Sequence, residues 1–476
     1  MMKNIKKPRS TEMWITIGIF GAVFAALIVY INVYVKNNQQ ELISNSYNSR
    51  QKILATENTR GDIYDRDGEL LATTKTGGDN KEYRYYPYEN LYAHAIGYST
   101  KGKTAVEAAA NYYLINSNIA IPKKVENDVA GRKNPGNNVY TTFDTKLQQV
   151  CYDSLGAFRG AVIVSNVKTG EILAMVSKPD YNPNTIVEDW DKYTSDSAST
   201  VLLNRVTSGL YPPGSTFKIV TALEYLREHP NDYEDYSYSC NGHFKKDDIN
   251  IQCYHGMSHG QVDFREAFKK SCNCSFINMG LSLDRVSYGE TLNGLLFNQN
   301  LPLDYNYAVC KTSVDALTTD EQMAQIAFGQ GKASVTPMIM NLITNAIANK
   351  GMLMKPYEIS KVVDADGNTV EEWYPESYER LMTEEEASIL ADYMSAVTEE
   401  GGTGSKLRNS NYTAAGKTGS ADFNKNIADS HSWFTGFAPV EDPEIGVTII
   451  VEEVGSSSDY AVPYAKRIFD CYFGVQ

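Results

Sequence analysis

The chain has 476 residues, 42% of them hydrophobic and 21% charged. This is an ordinary globular mixture that allows two or three domains and excludes wholesale disorder, collagen-like repeats and a small disulfide scaffold. Basic side chains number 44 against 58 acidic ones, a formal charge of −14 with no local basic patch, so nucleic acid is disfavoured as a partner.

Residues 1–12 carry Lys3, Lys6, Lys7 and Arg9, and residues 14–35 follow without a charge. At about 1.5 Å rise per residue that run crosses a hydrocarbon core about 30 Å thick. It is longer than the apolar stretch of a cleavable signal and ends in Tyr30-Ile31-Asn32-Val33-Tyr34-Val35-Lys36 rather than at a small-x-small site, so an uncleaved anchor over residues 13–36 is expected. Trp14 and Tyr34 stand at its ends like an interfacial belt, and the positive-inside rule puts residues 1–12 in the cytoplasm. Everything after the span then lies outside, carrying a charge of −18.

Residues 37–60 are polar and read as a stalk. Ile63, Leu70 and Leu71 begin short strands broken by the turn signal Asp65-Arg66-Asp67-Gly68. A second turn-rich stretch, 132–138, places a boundary near Gly136, giving a stalk and small β-rich module over 37–136 and a larger domain over 137–476. There the pattern predicts a strand at 139–143, a helix at 144–155 capped by Asp144, and a hairpin of 160–166 with 171–177 turning at Lys168-Thr169-Gly170. Helices are predicted at 217–226, 262–270 and 319–327, then strands after Gly416, with 445–451 β-branched, and a last helix at 461–472. This order indicates an α+β fold in which both ends of the chain complete one sheet flanked by helices.

Three short motifs carry chemistry. Tyr211-Pro212-Pro213-Gly214-Ser215-Thr216-Phe217-Lys218 sets a hydroxyl and an amine one helical turn apart, where a desolvated lysine can serve as base to a serine nucleophile. Ser271-Cys272-Asn273 offers a hydroxyl to relay a proton and an amide to hold a substrate carbonyl. Lys417-Thr418-Gly419-Ser420 reads as an edge strand able to bind a carboxylate, with glycine permitting close approach and a backbone N–H available to an oxyanion. None is specific alone. Ser49-Arg50-Gln51-Lys52, Ser46-Tyr47-Asn48 and Lys168-Thr169-Gly170 match the same patterns in the stalk and in a turn.

The order and spacing of the three, 56 residues from Ser215 to Ser271 and 146 from Ser271 to Lys417, resemble the penicillin-binding, serine-transpeptidase superfamily. Arg60-Gly61-Asp62-Ile63-Tyr64-Asp65-Arg66-Asp67-Gly68, Leu203-Asn204-Arg205, Gly329-Gln330-Gly331 and Trp433-Phe434-Thr435-Gly436-Phe437-Ala438-Pro439 narrow the likeness to class B, monofunctional penicillin-binding proteins. The resemblance implies a head of antiparallel sheet, flanking helices and an all-helical subdomain. It implies a bacterial cytoplasmic-membrane D,D-transpeptidase that cross-links peptidoglycan stem peptides and is acylated by β-lactams. Ser215 would be the nucleophile, Lys218 its base, Ser271 a proton relay and Lys417 a source of positive potential. Asn273 would hold the substrate amide and Thr418 the terminal carboxylate, while Gly419 and Ser420, with the Ser215 N–H, would form the oxyanion side. No cofactor is required for this catalysis, and a SEDS-type glycan polymerase is the implied membrane partner. A D,D-carboxypeptidase, a β-lactamase of the same fold and a non-catalytic β-lactam receptor or divisome scaffold are the alternatives.

Five of the seven cysteines, at 240, 253, 272, 274 and 310, cluster with three of the six histidines, at 243, 255 and 259. Cys240, Cys253 and His259 with Asp248 or His243 would hold a structural zinc. A Cys240–Cys253 disulfide, as exported domains favour, and plain packing are the other readings.

Overall fold

The computed structural model describes residues 10–37, 49–408, 411–421 and 430–475. Lys3, Lys6, Lys7 and Arg9 and the Ser46-Tyr47-Asn48 triplet lie outside the described residues. The uncharged run forms one helix, Ser10–Asn37, whose apolar span Met13–Val35 is left exposed by the described residues. A helix apolar on all sides is matched to lipid rather than to a core. The stalk is helical over Ser49–Glu57.

Asp65 Oδ1 accepts hydrogen bonds from the amides of Asp67 and Glu69, and Gly68 takes a φ of 90°, so the Asp-Arg-Asp-Gly stretch turns the chain between Ile63–Tyr64 and Leu70–Thr76. These strands sit in a six-stranded sheet ordered Thr369–Glu372, Ile359–Val363, Asn138–Thr141, Ile63–Tyr64, Leu70–Thr76, Glu82–Tyr85. Three of the six come from beyond Gly136, so the N-terminal module and the larger domain share a sheet. Beside it the fully buried Glu107 is paired with both Arg60 and Arg84.

The main sheet has five antiparallel strands in the order Ala415–Ala421, His431–Ala438, Ile445–Val451, Gly160–Asn166, Ile172–Lys178. The strands expected from the two ends of the chain meet where Ile445–Val451 pairs with Gly160–Asn166. Thr145–Leu155 and Ala461–Tyr472 pack on one face of this sheet. Pro337–Ala348, buried along its whole length, packs on the other and separates the sheet from the helical subdomain. The mixed α+β architecture expected from the sequence is the one observed.

Helix starts follow side-chain caps. Asp144 accepts from the Leu147 amide, and Thr319 forms a reciprocal capping box with Gln322. The helix expected over 262–270 is a correction. Gly260–Asp263 pairs as a strand with Ser237–Cys240, and the Asp263 carboxylate accepts from the Glu266 amide, so the helix begins at Phe264 and runs to Lys269. Capping there outweighs the apolar spacing that had included Val262.

Candidate active site

Gly214 adopts a φ of 53° and opens a tight turn, Gly214–Phe217, that runs without a break into the helix Lys218–Glu228. Ser215 and Lys218 therefore share a face, with Lys218 Nζ 3.1 Å from Ser215 Oγ. Lys218 is fully buried and also donates to the Ser271 carbonyl and to Asn273 Oδ1, each at 2.7 Å. Burial pushes its pKa down to about 8, which leaves part of it as free amine near neutrality.

Ser271 lies between the helices Phe264–Lys269 and Asn273–Ser282 with a φ of 53°, a left-handed conformation that costs a non-glycine residue about 1–3 kcal/mol. The turn delivers its hydroxyl to both lysines: Lys218 Nζ is 3.1 Å and Lys417 Nζ 2.9 Å from Ser271 Oγ. Burial, and then the neighbouring Lys218, pushes Lys417 well below the ordinary lysine range. Phe276 and Phe268 close the space around the two amines, with ring centroids 5.4 and 5.5 Å from the respective nitrogens.

Lys417 stands on Ala415–Ala421, the edge strand of the five. A Cβ on Gly419 would meet the Pro213 carbonyl oxygen and the Thr216 amide nitrogen at 3.1 Å, so glycine lets this edge lie against the nucleophile turn. Thr418 Oγ1 is 2.6 Å from Thr403 Oγ1. Ser215, Ser271, Asn273, Thr418, Gly419 and Ser420 all line one groove of about 650 Å³, with Lys218 and Lys417 buried beneath it. The three motifs are thus brought together, while their chance matches are not. Ser49-Arg50-Gln51-Lys52 belongs to the stalk helix, and Lys168-Thr169-Gly170 is a turn whose amides at 168 and 169 donate to Asn166 Oδ1.

Behind the nucleophile turn, Trp433 Nε1 donates to the Pro212 carbonyl at 3.1 Å, and Tyr211 Oη and Arg205 Nε each reach Glu452 Oε1 at 2.7 Å. Burial alone would raise the Glu452 carboxyl, but Tyr211, Arg205 and Arg159 together bring it below its ordinary value. Sequence reasoning missed Glu452 and Thr403, which no local spacing links to the motifs. It also missed Tyr254 and grouped His255 only with the cysteines, whereas both line the groove from the loop after Ile249–Gln252.

The cysteine cluster differs from expectation in its fourth member. The ligand atoms of Cys240, Cys253, His259 and Cys272 all lie within 4.8 Å of one another, whereas Asp248 and His243 stand outside this group, Asp248 in the turn joining His243–Lys246 to Ile249–Gln252. Asp248 was favoured by nearness in sequence, and Cys272 is delivered instead by the fold, because it precedes the helix that begins at Asn273. Cys240 Sγ is 3.7 Å from Cys253 Sγ and 3.5 Å from His259 Nδ1, and Cys253 Sγ is 3.8 Å from Cys272 Sγ. Ligands at about 2.3 Å for sulfur and about 2.0 Å for nitrogen around a tetrahedral zinc stand about 3.5–3.8 Å apart, so the cluster fits that ion. The Cys240 and Cys253 sulfurs are not bonded to each other.

A serine–lysine helix start facing a lysine–threonine–glycine edge strand, on a five-stranded sheet with a helical subdomain, defines the penicillin-recognising class of serine acyltransferases. Residues 160–470 match the penicillin binding protein transpeptidase domain, and residues 60–139 match the penicillin binding protein A dimerisation domain. The chain belongs to the penicillin-binding protein transpeptidase family. It is 30% identical to the peptidoglycan D,D-transpeptidase PbpA of Mycolicibacterium smegmatis over 412 residues, 82% of this chain and 83% of that protein. Among solved structures it is similar to the D,D-transpeptidase domain of a peptidoglycan glycosyltransferase from Eggerthella lenta, with a TM-score of 0.79, 27% identity and coverage of 88% of this chain and 99% of that one. It is also similar to the penicillin G acyl-enzyme complex of penicillin-binding protein A from Mycobacterium tuberculosis, with a TM-score of 0.77, 25% identity and coverage of 87% and 99%.

Proposed function

We propose that the protein is a membrane-anchored peptidoglycan D,D-transpeptidase and a covalent target of β-lactams. The observation that carries this reading is the 3.1 Å contact of a buried, partly deprotonated Lys218 with Ser215 at the floor of a groove walled by the Lys417–Ser420 edge. Ser215 Oγ attacks the penultimate D-alanine carbonyl of a stem peptide, and its proton passes to Lys218 Nζ. The N–H groups of Ser215 and Ser420 face the developing oxyanion, while Asn273 holds the substrate amide and Thr418 the terminal carboxylate. As the C–N bond breaks, the proton reaches the leaving D-alanine amine from Lys218 through Ser271, whose hydroxyl stands between both lysines. Lys417 adds positive potential in its protonated form, which burial and a charged Lys218 disfavour and a neutral Lys218 favours. An amine of a neighbouring stem then attacks the ester carbonyl and releases Ser215. No step calls for a cofactor.

The head faces the extracytoplasmic side of a bacterial cytoplasmic membrane, with the basic residues 1–12 inside. A SEDS-type glycan polymerase is the proposed membrane partner. A structural zinc on Cys240, Cys253, His259 and Cys272 would tie the 249–259 loop to the Ser271–Asn273 turn, since Cys272 lies between those two residues and Asn273 Nδ2 donates to the Gln252 carbonyl at 3.1 Å. Incubation with a D-Ala-D-Ala pentapeptide and an amine acceptor tests the function by mass spectrometry. The reading requires a cross-linked product with D-alanine released. Hydrolysed tetrapeptide alone would point to a carboxypeptidase, and unchanged pentapeptide to a scaffold.

A further inference from the structure

A second cavity, of about 810 Å³, is walled by N-terminal residues between His94 and Ala109 on one side and by 202–208, 303–306 and Glu358 on the other. Its volume falls in the range of small-molecule sites, about 300–1,000 Å³. Val106, Phe143 and Met175 give it a buried apolar lining, and Lys103 and Asp304 stand exposed among its walls. Glu358 is 6% exposed, and its carboxylate makes no hydrogen bond or ion pair with another side chain among the described residues. The backbone fixes it there: the Thr142 amide donates to the Glu358 carbonyl at 2.9 Å, and the preceding Tyr357 bonds to Gly170 and Ile172 at 3.1 and 2.9 Å. Burial, and then Asp304, pushes the carboxyl up to about 8.

Buried carboxylates are ordinarily paired, as Glu107 is with Arg60 and Arg84 in the same molecule. Glu358 has the burial with only its own backbone amide as a hydrogen-bond partner, so it is held mostly protonated near neutrality, and the cavity beside it has room for a cation that would return it to its charged form.

We propose that this cavity binds a small primary amine carried on an aliphatic stem, the ammonium paired with Glu358 and the stem lying along Val106, Phe143 and Met175. An anionic ligand would meet two acidic residues, Glu358 and Asp304, against one lysine, and a neutral one would not draw Glu358 back to its charged form as an ammonium does. The site is separate from the Ser215 groove, and the two share no lining residue.

Saturation-transfer NMR on the full chain in lipid nanodiscs tests this, with pentylamine as the probe and pentanoate and pentanol as comparisons of equal length. The expected result is saturable transfer to pentylamine and none to pentanoate. Affinity for the amine should fall about tenfold or more in Glu358→Gln, and also in Ala108→Phe, which narrows the cavity and leaves every charge in place. Labelling of Ser215 by a fluorescent penicillin reports that each variant is folded. If neither variant folds, the comparison of the three probes on the unaltered chain decides. Equal binding of amine and pentanoate, undiminished binding in a folded Glu358→Gln variant, or no saturable binding of pentylamine would overturn the proposal.

Discussion

Two buried amines share one hydroxyl beneath the groove, and this sets how the protein should respond to pH. Lys218 must be neutral to take the Ser215 proton, and its pKa lies at about 8. The β-lactam acylation rate should therefore rise about tenfold per pH unit below that point and level off above it. Lys218→Arg keeps a cation but cannot lose the proton at these pH values, so acylation should fall about 10²–10⁴-fold, as read by fluorescent-penicillin kinetics. A flat profile, or a fast arginine variant, would remove Lys218 from the role of base. Glu452 acts one layer further back. Glu452→Gln leaves the fully buried Arg205 without its carboxylate and weakens the acceptor for Tyr211, so thermal unfolding should show a loss of about 3–5 kcal/mol. Because Tyr211 leads into the nucleophile turn, acylation should slow as well. A variant as stable and as fast as the unaltered protein would show that this buried network does not hold the turn.

Elements show where the sequence was legible. The helix Ala461–Tyr472 and the strands Gly160–Asn166 and Ile445–Val451 fall where periodicity and β-branched runs placed them, because the helix buries one apolar face and the central strands are buried on both. Pro337–Ala348 went unread since its polar stripe, Asn341, Thr344 and Asn345, faces inward to hydrogen-bond with Ser165 and Thr435 rather than outward to water, so the helix is buried on every side. The pairing of Ile359–Val363 with Asn138–Thr141 joins residues far apart in the chain, which no local signal encodes. The site divides the same way. Ser215 with Lys218 is a one-turn pattern and could be read directly, whereas Cys272 joins Cys240, Cys253 and His259 only once the chain is folded. Metal analysis of purified protein should find about one zinc per chain. Cys272→Ser should lower that content, lower the melting temperature and slow acylation by loosening the turn that carries Ser271 and Asn273. Metal-free protein with unchanged melting behaviour in a chelator would leave the cluster as packed thiols.

At the scale of the whole molecule, the shared six-stranded sheet makes the N-terminal module part of the head's own structure. A fragment starting at residue 137 would expose the Asn138–Thr141 edge that now pairs with Ile63–Tyr64. It should aggregate or melt well below a fragment starting at residue 49. Equal melting temperatures for the two would mean that the module is merely attached. Protease added outside protoplasts should digest the head and spare the first dozen residues, and a protected C-terminus would reverse the orientation. The central claim is that Ser215 forms the acyl-enzyme, and mass spectrometric mapping of a penicillin adduct tests it most directly. One adduct per chain on the peptide containing Ser215, absent from a folded Ser215→Ala variant, is the result this account requires. An adduct on Ser271 or Ser49, or undiminished labelling of Ser215→Ala, would contradict it.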